Sequence, residues 1–157
     1  MAALTDSHGF DKGSAAHPAK GQTRISYAEV VMDFAAITTA RAAAGASVLS
    51  TDSLQVISVP ANTLVLAVGV TTETVEGGTA DIDIGTTGGD PDLFVDGANG
   101  NALGTTACNG VGFDGDNQSH YFAAADTIDL LCNNALDTCK VKVWAVLVDC
   151  SSTNLSG

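Results

Sequence analysis

The feature that most constrains this chain is residues 52–85, DSLQVISVPANTLVLAVGVTTETVEGGTADIDIG. Apolar, largely β-branched side chains recur there with a period of two, the mark of strands with one buried face. Leu54, Val56 and Ser58 alternate with Gln55, Ile57 and Val59, and Pro60 with Asn62 supplies turn chemistry. Leu64, Leu66, Val68 and Val70 then share one predicted face, and Val65, Ala67 and Gly69 the other. Two strands joined by a short connection are expected, with Gly77 and Gly78 ending the second. In TADIDIG the alternation is strict: Ile82 and Ile84 point in, Asp81 and Asp83 out.

The same reading extends along the chain. ISYAEVVMDF (25–34) predicts a strand, and the Ala-rich AAITTARAAAGA (35–46) a short helix stopped at Gly45. In GGDPDLFVDG (88–97), Gly88, Gly89 and Pro91 predict a turn into a short strand that Asp96 and Gly97 close. Residues 97–118 form a long Gly- and Asn-rich loop, the kind of segment that carries contacts on a rigid β scaffold. SHYFAAADTIDLLCN (119–133) predicts two short strands with a turn near Ala125 and Asp126. CKVKVWAVLVDC (139–150) predicts a central strand, apolar on both faces near its end. Trp144 lies within it, which argues against Trp144 as a sugar platform.

Eight strands with turn signals and no βαβ alternation define the class. It is all-β: an eight-stranded β-sandwich, jelly-roll-like, with an extended N-terminal arm. The arm spans 1–24, the sandwich 25–150 and a polar tail 151–157.

Charge narrows the partners. The formal net charge is -12, and the acidity is uneven. Lys12, Lys20 and Arg24 lie in the arm, whereas the remainder holds Arg41, Lys140 and Lys142 against sixteen acids. Such a body is unsuited to nucleic acid or to anionic membrane surfaces, and it repels its own copies at long range. No apolar run approaches the ~20 residues of a membrane-spanning helix. The N-terminus has no basic start followed by an apolar core, so no secretory leader is expected and synthesis in a cytoplasm is.

Cys132 and Cys139 flank NNALDT at an expected hairpin, which makes a bridge between them plausible and leaves Cys108 with Cys150 as the second pair. Three pairings are open on sequence alone, as are four free thiols. The spacings do not fit a zinc site.

No nucleophile elbow, phosphate loop, zinc-protease helix or dinucleotide fingerprint is present. The body's one histidine, His120, would have to serve any triad, and its neighbour Ser119 would point to the opposite strand face. A structural or interface histidine is expected. His8 and His17, nine residues apart in the arm, are expected to be solvent-exposed polar groups. Only three acids are Glu and aromatic content is 5%, which is poor material for a carbohydrate-cleaving cleft. No catalytic residue is assigned and the chain is not expected to be an enzyme. Calcium is the best small-ligand case: Asp90, Asp92 and Asp96 form one cluster, and Asp114, Asp116 and Asn117 a second. Asp and Gly are also ordinary turn residues, so no cofactor is required.

Three stretches carry a resemblance: DSLQVISVPANTLVLAVGVTTETVEGGTADIDIG, then DPDLFVDGANGNALG, then YFAAADTIDLLCNNALDTCKVKVWAVLVD. Together, over about residues 27–149, they resemble small β-rich virion structural proteins of tailed bacteriophages, particularly marine and cyanobacterial ones. That resemblance implies a capsid decoration, cement or knob protein: non-enzymatic, attached to the major capsid protein or other virion proteins, often as a homotrimer. It implies residence on the capsid surface after synthesis in the host cytoplasm, and it carries over no functional residue. The weakly basic arm fits it, with Lys12, Lys20 and Arg24 placed to lie along an acidic capsid. The alternative is a carbohydrate- or calcium-binding module of a phage fibre or receptor-binding assembly.

Overall fold

Strand partners are nested first with last. In the computed structural model, β1 (Ala3–Leu4) and β2 (Gly13–Ser14) come first, then β3 (Ile25–Asp33), α1 (Phe34–Ala43), β4 (Ser53–Val59) and β5 (Thr63–Thr74). Next are β6 (Asp81–Gly85), β7 (Val95–Asn99), β8 (Gly104–Ala107), β9 (His120–Phe122), β10 (Asp126–Cys132) and β11 (Lys140–Asp149). The structure describes residues 3–4, 13–14, 25–45, 48–110, 113 and 119–151. Antiparallel pairs form between β3 and β11, β4 and β10, β6 and β7, and between β5 and both β8 and β9.

This nesting is the jelly roll that the sequence predicts. One sheet runs β3-β11-β5-β8, with β9 also on β5, and the other runs β4-β10-β6-β7, with β1 and β2 on β4. The eight expected strands are all present. The loop expected over 97–118 is corrected: β7 runs through Asp96 and Gly97 to Asn99, and β8, opposite Gly69–Thr72, is a further strand within it, while β9 lies opposite Thr63–Val65.

The hairpin expected between Cys132 and Cys139 is corrected. The strands either side of Pro60–Asn62, β4 and β5, lie in different sheets, and so do β10 and β11 either side of 133–139. Alternation reports which face is apolar, not which strand is the neighbour, and a short turn serves a sheet-to-sheet crossing equally well. The faces of β5 are also corrected. A register shift opposite Val146 and Leu147 inserts one residue, so Val65, Val68 and Val70 face the core while Leu66 is exposed.

Met32, Phe34, Leu54, Ile84, Phe94 and Leu130 are among the fully buried side chains between the sheets. The helix starts where Asp33 caps it, its carboxylate accepting from the Ala36 N–H at 3.2 Å. It ends before Gly45, whose φ of +75° an L side chain resists. Phe34 and Ile37 turn its buried face inward. Two short pieces of the arm lie parallel on the open edge of β4, Ala3 opposite Ser53 and Gly13 opposite Ile57. Lys12, Lys20, Arg24, His8 and His17 lie outside the described residues.

Candidate functional site

Residues 86–94 join β6 to β7, and 86–93 fold back over the outer face of their sheet. The Thr86 N–H donates to the Asp90 carbonyl at 2.9 Å, and the Thr87 N–H donates to Asp129 Oδ2 at 2.8 Å. The seat needs Gly85, because a Cβ there would lie 2.2 Å from the Asp90 carbonyl oxygen. Gly110 approaches from the other side, where a Cβ would lie 2.1 Å from the Asp92 carbonyl oxygen.

This geometry divides the first aspartate cluster. Asp90 and Asp92 face one another, and the Asp92 side chain bonded to Asp90 holds the Asp90 carboxyl above the usual range. Asp96 stands apart on β7, where its N–H donates to Asn109 Oδ1 at 3.2 Å and its carbonyl accepts from Asn109 Nδ2 at 2.7 Å. Among the described residues no three His, Cys, Asp or Glu side chains converge as a metal cage would require. Asp114, Asp116 and Asn117 lie outside the described residues.

Glu76 is a carboxylate that the sequence reading passed over. It is 6% exposed and fastens the crossing between β10 and β11. Its Oε2 accepts from the N–H groups of Asp137, Thr138 and Cys139 at 3.0–3.1 Å, and its Oε1 accepts from the Thr138 hydroxyl. Burial raises its pKa, but these donors outweigh burial and hold it far below the carboxylate range. Two other buried carboxylates go the opposite way. Asp83 accepts from Asn133 Nδ2 at 2.7 Å and from the Gly97 N–H at 2.8 Å, yet burial raises its pKa. Burial raises that of Asp129 too.

His120 stacks edge-on against Phe122 at 4.8 Å and Phe94 at 5.7 Å, and Phe113 packs on the same Phe94 ring. It is a packing group, as expected. Cys108 donates its S–H to the Val68 carbonyl at 3.5 Å. All four cysteines are free thiols in the structure, so the bridges that the spacing allowed are not formed in it. Cys132 and Cys139 are buried. Burial, then the Glu76 charge, pushes the Cys139 thiol up to about 12, and burial raises Cys132 further.

A shallow cavity of about 490 Å³ lies at the end of β4 and β10, lined by Gln55, Ser58, Val59, Pro60, Ala125, Asp126 and Thr127. It borders the edge where Gly13–Ser14 pair. The outer face of the β3-β11-β5 sheet is broader. Trp144, expected in a strand covered on both sides, points outward there. Its indole lies flat over Gly69, where a Cβ would be 2.4 Å from Cζ2. Lys142 reaches Glu73 at 3.2 Å and Glu29 at 4.0 Å, and Lys140 reaches Asp33 at 2.9 Å.

No protein-family profile matches the chain, and no curated protein does. Solved structures do share its fold. A chain from the acid-stable capsid of Helicobacter pylori bacteriophage KHP30 aligns with a TM-score of 0.57 at 10% identity, over 89% of this chain and 95% of that one. A chain from the capsid of Ralstonia phage GP4 aligns at 0.61 and 10% identity, over 87% and 92%. One from the cyanophage Pam1 capsid asymmetric unit aligns at 0.54 and 14% identity, over 85% and 89%.

Proposed function

We propose that this chain is a non-enzymatic structural protein of a tailed-phage virion, bound to the capsid exterior as a decoration, cement or knob protein. The observation that carries this reading is its nested jelly roll, which matches three phage capsid components over 85–89% of the chain. The side chains agree with it. His120 is spent on aromatic packing, Glu76 on fastening a crossing, and the Asp90–Asp92 pair on a closed turn.

In this reading the sandwich is the rigid block and the arm is the tether. Lys12, Lys20 and Arg24 give the arm its attraction to an acidic shell. The block works as an oligomer, with a trimer the form that the family resemblance implies. Particles lacking the protein, mixed with the purified chain and sedimented, test the proposal. The full chain is expected to co-sediment with particles, and the chain without residues 1–24 to stay in the supernatant. Failure of the full chain to bind would overturn the capsid role; undiminished binding without the arm would overturn the tether.

A further inference from the structure

We infer that the outer face of the β3-β11-β5 sheet is a self-contact that seats a second copy of this chain. The inference rests on the oligomeric part of the proposed function, replaces its trimer with a two-fold pair, since a face that mates with its own copy closes as a pair, and leaves the virion location to its own test.

Apolar side chains concentrate on this face. Of the eight exposed large hydrophobic residues among the described ones, five lie there: Ile25, Tyr27, Val31, Leu66 and Tyr121. Register places them in rows. Tyr27 is opposite Val146, which is opposite Ala67, and Ile25 is opposite Val148, which is opposite Leu64. The opposite broad face is already occupied at Gly85 by the 86–93 turn. Exposed apolar side chains gathered on one face of an otherwise acidic protein mark an interaction surface.

Charge selects the occupant. At a net charge of -12, two copies repel through most surfaces. Among the described residues the basic ones are Arg41, which is buried, and Lys140 and Lys142, which both stand on this face. Asp33, Glu29 and Glu73 balance them there. Among the described residues it is the face on which two copies meet with least like-charge repulsion. A basic partner would instead be steered to the acidic surfaces elsewhere.

Size agrees. Ten residues of β11 at ~3.3 Å each, by four strands at ~4.8 Å, give a face of roughly 600 Å² before side-chain relief. One side of a standard specific interface is about 800 Å². Gly69 lets Trp144 lie flat near the centre, which keeps the face planar enough to mate.

The test uses the isolated full chain, with no particles present. Light scattering after size exclusion at tens of micromolar is expected to give twice the 15.8 kDa protomer mass. Trp144, the chain's one tryptophan, is expected to shift its emission to the blue as concentration rises. Tyr27→Glu and Val31→Glu, both at exposed positions, are each expected to raise the concentration for half-dissociation about tenfold or more. Leu49→Glu, exposed and just before β4 of the other sheet, is expected to leave it unchanged. Circular dichroism identifies any variant that fails to fold, and Tyr121→Glu then replaces it. A monomeric wild type would overturn the inference and assign the face to a different protein. An oligomer indifferent to the face variants would overturn it as well. Neither result would bear on whether the chain binds particles.

Discussion

Thr138 gives Glu76 both of its donors: the backbone N–H reaches Oε2 at 3.0 Å, and the hydroxyl reaches Oε1. One carboxylate two residues beyond the end of β5 thus fastens the crossing that carries the chain from one sheet to the other. The N–H groups of Asp137 and Cys139 complete the grip.

Glu76→Gln replaces half of that acceptor set with an N–H₂ group facing donors. Losing charge-assisted bonds at a buried site costs about 2–3 kcal/mol. A depressed folded pKa contributes stability above the unfolded value, and that contribution is lost as pH falls through the folded one. The gap between wild type and Glu76→Gln should therefore be constant from pH 8 to about 5 and narrow only below about pH 4. Urea denaturation across that range measures it. A gap below about 0.5 kcal/mol at pH 7 would count against the clamp.

Asp129 predicts the opposite slope. It is 2% exposed and burial raises its pKa, so its contribution favours the fold at low pH and fades as pH rises through the folded value. Asp129→Asn keeps an acceptor for the Thr87 N–H and removes the buried charge. The variant should exceed wild type by about 1 kcal/mol at pH 7.5 and match it near about pH 4. A variant equally destabilised at both values would show that the charge itself is needed.

Much of this fold was legible in the sequence, and the reasons differ by element. ISYAEVVMD and KVKVWAVLVD are β-rich enough to read as strands, and both became full strands whose burial alternates because each has one face in the core. Ile82 and Ile84 point inward as their spacing predicts. The inserted residue near Leu66 was not legible, since a bulge leaves no composition signal in a run as uniformly apolar as LVLAVGV. Glu76 was not legible either. It sits in a turn-like EGG, and its partners lie 61–63 residues further along the chain. The outward direction of Trp144 was masked by apolar residues on both faces of its strand. The pairing of Gly13–Ser14 with β4 was hidden in an arm without periodicity.

Gly85→Ala should be among the most damaging small substitutions. Its Cβ would meet the backbone of Asp90 and Pro91 at 2.2–2.5 Å, and a closed turn cannot yield as a flexible side chain can. A loss of about 2–4 kcal/mol is expected, read as a fall in thermal midpoint. Gly88→Ala, with open space around its Cβ but a φ of +82°, should cost only about 1 kcal/mol. Equal effects at the two glycines would contradict the seating of the 86–93 turn.

Thiol reactivity should split by position. Cys150 is exposed and Cys108 partly so, whereas Cys132 and Cys139 are buried with raised pKa values. A thiol reagent at pH 8 should label Cys150 first and Cys108 more slowly, and reach the other two only on unfolding. Mass spectrometry of labelled peptides reads the order. A Cys132–Cys139 disulfide in the native protein would appear as two sites that never label without reductant, and would contradict the free thiols.

The central claim is that this jelly roll is a block on the outside of a phage shell. Electron cryomicroscopy of particles assembled with the chain present tests it most directly. The account predicts density for the two-sheet sandwich at symmetry-related positions on the capsid exterior, absent from particles made without the chain. Density confined to the tail or fibres, or particles identical with and without the protein, would contradict it.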